Sequence, residues 1–181
     1  MTAASEPFEH PDLAHVGAAM LDEWRAEEEA ATRDAVEVWR RNLTLVDWLR
    51  DRMHAGDRVA MSFVGDRIFT GIVVDVGPDV CGLRGGFGRV DVQLLDDAPV
   101  EIRVVHHPST GGMRATTGAR FRDVVIAREQ AGVVTVGTRV EPDGVTGRIA
   151  LGGDFLAVTD EDGLEVLVPL RAVLWIALPE S

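Results

Sequence analysis

The sequence predicts a mainly β chain with helices, an α+β fold. One long N-terminal helix leads two tandem five-stranded small barrels, each preceded by a short helix. Three observations predict this. The stretch "PDLAHVGAAMLDEWRAEEEAATRDAVEVWRRN" carries apolar residues at helical spacing. After it, short valine-rich runs alternate with glycine and aspartate turn signals. These runs fall into two sets, and the second follows the first at a constant offset of 76 residues.

Residues 1–43 hold the tail and the long helix. Met20, Leu21, Trp24, Ala31, Ala35, Val38 and Trp39 recur at steps of three and four. Glu29 with Arg33 and Glu37 with Arg41 are favourable i,i+4 pairs on the solvated side. Amphipathic helices gain most of their stability by packing, so this one is expected to lie on its own barrels. The functional alternative is a partner-binding helix presenting Trp24, Glu27 and Glu28.

The first repeat is expected over 44–105, a linker over 106–116 ("HHPSTGGMRAT"), and the second repeat over 117–181. In "TLVDWLRDRMHAG", Thr44 reads as an N-cap, Asp47 stands at the capping-box position and Gly56 is the stop. Leu45, Trp48, Leu49 and Met53 line one face. Its counterpart presents Phe121, Val124 and Val125 before Gly132. At the offset of 76, "TGIVVDVG" from Thr70 faces "TGRIALGG" from Thr146, so Gly71 meets Gly147. Without gaps there are 11 identities over positions 47–102, several of them turn glycines. A glycine repeated inside a valine-rich strand predicts a sharp bend there, as closure of a small barrel requires.

A helix followed by five bent strands resembles the Sm-like (LSm/Hfq-type) small-barrel fold. The likeness is clearest in "GVTGRIALGGDFLAVTDEDGLEVLVPLRAVLWIAL", 144–178, and the first repeat follows it in "VDVQLLDDAPVEIRVV". The layout as a whole also resembles a group of uncharacterised actinobacterial two-barrel proteins, a likeness that implies no activity. The Sm-like resemblance implies RNA binding through an asparagine after Asp79 and Asp154 and a basic pair in the last turn. The chain instead reads "DVCGL", "DFLAV", "DDAP" and "PLRA", and only Arg171 approaches the basic position.

Composition narrows the chemistry. All 18 basic residues are arginine and there is no tyrosine, the usage of a high-GC genome such as an actinobacterial one. Without lysine there is no Schiff base, P-loop lysine or lysine general base. The net charge of -12 sits at the two ends: residues 1–37 carry -8 and residues 141–181 carry -6, against +2 for 38–140. Such a chain repels phosphate except through its middle. The single cysteine, Cys81, forms no internal disulfide, and no apolar run approaches the roughly 20 residues of a membrane span. "MTAASEPFEH" does not read as a signal peptide, so a reducing cytoplasm is the expected compartment.

No catalytic residue, cofactor or metal site is expected. Cys81 has no cationic neighbour in sequence and reads as an inert core thiol. His106 and His107 are adjacent and point opposite ways on an extended chain, while Ser109 and Thr110 lie in the linker. "GLRGGFGR" brings Arg84, Phe87 and Arg89 together; with Arg103 they form the candidate contact for an anion or nucleic acid. The expected function is a non-enzymatic scaffold or adaptor that touches a protein partner or a second copy through barrel edges and the acidic helix. An RNA-binding protein acting through the first barrel is the alternative, and no membrane or small-molecule substrate is implied.

Overall fold

The computed structural model describes residues 11–108 and 118–178. The chain divides into two compact units, 1–43 and 44–181. Among the described residues the first contains one helix, α1 (Pro11–Asn42). Arg41 pairs with Glu37 along it, while Arg33 donates to the Glu29 carbonyl at 3.2 Å. A lone helix has no second layer of its own, and Leu21, Trp24, Val38 and Trp39 lie on its surface.

The second unit opens with α2 (Leu45–Ala55). The Thr44 hydroxyl accepts from the Asp47 N–H at 3.1 Å and donates to the Asp47 carboxylate, and Gly56 ends the helix at φ 74°. Five strands follow: β1 (Arg58–Ser62), β2 (Ile68–Val76), β3 (Val80–Gly85), β4 (Gly88–Gln93) and β5 (Glu101–His106). Then come α3 (Phe121–Glu129), β6 (Val133–Thr138), β7 (Val145–Leu151), β8 (Phe155–Thr159), β9 (Glu165–Pro169) and β10 (Val173–Ala177).

All ten strands form one antiparallel sheet in the order β5-β1-β2-β3-β4-β10-β6-β7-β8-β9. This corrects the expectation of two closed five-stranded barrels. A closed half would pair β4 with β5, and β9 with β10. Instead β5 runs back to the outside of β1, and β4 gives its open side to β10. The internal order is the same in both halves, but each first-half edge is completed, or left open, by the other half. The sheet is therefore open, and the two halves form one compact unit.

The two halves meet at a seam between β4 and β10. Trp175, Ile176 and Ala177 pair with Val92, Asp91 and Val90, and the Leu178 N–H donates to the Arg89 carbonyl at 2.9 Å. Leu174 and Trp175 leave their own half to fill the first core, where the Trp175 ring meets Phe69 edge-on at 4.9 Å. Val80 goes the other way and is buried with Phe121, Val125 and Val136.

On the α3 side of the seam sits Asp91, with no exposed surface. Its carboxylate accepts from Arg128 Nε on α3 at 2.7 Å and from Arg89 Nε at 2.9 Å, and Arg89 also reaches Asp75 at 2.6 Å. At the other end of α3, the Asp79 carboxylate accepts the Phe121 N–H at 2.7 Å. Asp97 and Arg139 add a fork-to-fork pair between the halves on the surface. So α3 belongs to the second half by sequence and is anchored at both ends to the first.

Gly71 has a steric reason. A Cβ there would lie 2.6 Å from the Arg84 carbonyl oxygen on β3, and one on Gly147 would lie 2.3 Å from that of Thr159 on β8. The glycine admits the backbone of the next strand, in an open sheet, not a closed barrel. Gly71→Val is expected to destabilise the fold by about 1–3 kcal/mol in chemical denaturation. Removing one partner of the buried ion pair should cost more: Asp91→Ala by about 3–5 kcal/mol. Replacing the pair together, Asp91→Leu with Arg128→Leu, should recover much of that loss, because no buried charge is then left at those two positions.

Candidate protein interaction surface

Within the second unit, the sheet has two edges, β5 and β9, and among the described residues each is hydrogen-bonded on one side only. Their relation to the seam follows from register. Cys81 pairs with Val92 and Leu83 with Val90, as Leu156 pairs with Val168 and Val158 with Val166. Leu167 on β9 therefore occupies the position that Asp91 has on β4, and Phe155 the position of Val80. On the opposite edge, Ala60 pairs with Arg103 and Met61 with Ile102, as Val136 pairs with Ile176 and Gly137 with Trp175. Ile102 and Arg103 on β5 thus match Trp175 and Ile176.

The matching positions differ in exposure. At the seam Val80, Asp91, Trp175 and Ile176 are all fully buried. At the β9 edge Leu167 is 57% exposed, and Phe155 and Val166 are exposed beside it. At the β5 edge Ile102 and Val104 pack partly on the first core, while Val105 is exposed; Leu45, at the start of α2, is exposed too. Arg103 is held by Glu101 of the same strand at 2.7 Å, so the pair cancels its own charge.

The candidate nucleic-acid residues do not form one patch. Arg84 on β3 is exposed and lies across from Arg89 on β4. Arg89, however, is half-buried and bound to Asp75 and Asp91. Burial pulls its guanidinium down, but the hydrogen bonds and charges of those carboxylates outweigh this and leave it raised. Phe87 packs edge-on against Phe69 at 5.0 Å instead of standing free to stack a base. Arg103 is three strands away from β3. Arg171 is exposed before β10. On α1, Trp24, Glu27 and Glu28 are all exposed.

Cys81 is buried in the first core, and desolvation, then the charges of Asp75 and Asp91, push its thiol far up. His107 Nδ1 lies 2.9 Å from the buried Asp57, which also accepts from Arg52 at 3.0 Å; His106 closes β5. Ser109 and Thr110 lie outside the described residues. Among the described residues no group of three His, Cys, Asp or Glu side chains is gathered to hold a metal, and no helix is long and apolar enough to cross a membrane.

Asp57 and Asp91 were not singled out from sequence, and Asp79 only as the residue the resemblance places before an asparagine, although one signal for Asp91 is present. In "RVDVQ" an acid stands mid-strand between two core valines, with Arg89 two residues earlier on the same face. Set against protein-family models, curated proteins and solved structures, the chain gives no match.

Proposed function

We propose that this chain is a non-enzymatic scaffold or adaptor that makes protein contacts through the open edges of its sheet and through α1. The observation that carries the reading is the pair of edges, β5 and β9, unpartnered among the described residues and flanked by exposed Val105, Phe155, Val166 and Leu167. An edge strand offers backbone donors and acceptors to an added strand, and neighbouring apolar side chains supply the burial that holds it. The acidic α1, with Trp24 and Trp39 on its surface, offers a second contact that suits a basic partner.

The RNA reading is weaker on this geometry, because Arg89 and Arg103 already face carboxylates and Arg84 is left as the one guanidinium of that set with no ion pair among the described residues. The buried, unactivated Cys81 fits a reducing cytoplasm. Tagged protein recovered from native lysate, probed for protein and for nucleic acid, tests the proposal. Protein should be retained, and lost when Val166 and Leu167 are both changed to Asp. Sub-micromolar binding of oligo-uridine that weakens steeply with salt and with Arg84→Ala would replace this reading with RNA binding.

A further inference from the structure

We infer that α1 pairs antiparallel with the α1 of a second copy of this chain, as a two-stranded coiled coil. The inference rests on the α1 contact of the scaffold reading and names its partner.

Spacing says that the partner is a helix. Leu21, Trp24, Glu28, Ala31, Ala35 and Val38 follow one another in unbroken steps of three and four. The same steps run back through Gly17 to Ala14 and forward to Asn42. A repeat of 3.5 residues keeps one narrow seam facing a second helix wound against it. From Leu21 to Asn42 every side chain of the seam is exposed, with Leu21 at 56% and Trp24 at 62%. A shallow groove lined by Ala31, Thr32, Ala35 and Trp39 lies along its middle. Most helical stability comes from packing such a face, and α1 has no second layer in its own unit.

Charge sets direction and register. Parallel copies would stack Glu28 on Glu28 inside the seam, two like charges in an apolar contact. Antiparallel copies avoid this when Ala31 lies opposite Ala35 of the other copy. Glu28 then meets Val38, and Glu27 at the flank meets Arg41, each contact made twice by the two-fold symmetry. Arg25 falls beside the Trp39 ring, and the alanines at the centre let the two helices come close. Glu27 is exposed and has no ion pair among the described residues, while Arg41 meets Glu37 of its own helix. That pair is exposed on both sides, so it is weak enough to share its guanidinium. One like-charged contact remains, Asp34 with Asp34 across the axis, against two Glu27–Arg41 pairs. Sliding the helices one heptad toward fuller overlap would set Glu27 against Asp34 twice. Sliding them the other way would take Trp24 out of the contact.

Sedimentation velocity on the full chain tests this. The wild type should form a dimer. Arg41→Glu sets carboxylate against Glu27 at two places and should weaken the dimer by about tenfold or more, as should Glu27→Arg. The double variant should restore it, and so should mixing the two single variants, because only this register brings 27 and 41 together. Both side chains are exposed and lie outside 44–181, so the variants should leave the thermal unfolding of the sheet unit unchanged. A wild type that stays monomeric, a dimer indifferent to Arg41→Glu, or failure of the double variant to restore pairing would overturn the inference. If the chain is monomeric yet still retains protein through Val166 and Leu167, self-pairing falls and the scaffold reading stands. If neither occurs, both fall.

Discussion

Asp91 is a carboxylate with no exposed surface at the centre of a ten-stranded sheet, and the rest of the unit is arranged around satisfying it. An unpaired charge there would cost several kcal/mol, more than a small domain can lose. Arg89 comes from the same strand, two residues away, and so shares its face. Arg128 comes from α3, and it reaches Asp91 only if α3 lies across the boundary between the halves. Once α3 is there, its first N–H faces Asp79 and its apolar side covers Val80. β10 then takes the open side of β4. The open edges at β5 and β9 are a consequence of that placement.

Parts of this were legible in the residues. Thr44, Asp47 and Gly56 describe a helix start and stop by local hydrogen-bonding chemistry, and α2 runs between them. The turn glycines and aspartates separate ten short strands, because turns are also local. Barrel closure was not legible, for a physical reason. Alternation in "RVDVQ" says that Val90 and Val92 face a core, but not whether β5 or β10 lies alongside. Either neighbour satisfies the same pattern.

The candidate contact residues failed to converge for a related reason. A guanidinium in sequence looks free until its carboxylates are located, and Asp75, one of the two that hold Arg89, lies 14 residues away. Arg84 and Arg89 do share a face, as cross-strand partners must, yet among the described residues only Arg84 keeps an unanswered charge. Leu167 was equally hidden. In "EVLVP" it reads as one apolar residue among three, and its exposure follows only from β9 being an edge.

The polar seam also explains how similar halves join in one order. If β9 replaced β4 beside β10, Arg128 would face Leu167 and lose its carboxylate. If β4 lay beside β5, Asp91 would meet α2, whose Arg52 is already held by Asp57. Either arrangement breaks the Arg128–Asp91 pair, leaving Asp91 with Arg89 alone or Arg128 without its carboxylate, whereas an apolar ladder would tolerate both. Valine pairing makes the strands compatible, and the one acid placed among them decides which two meet. A core built from valine alone at that position would hold the sheet together without saying where it begins and ends.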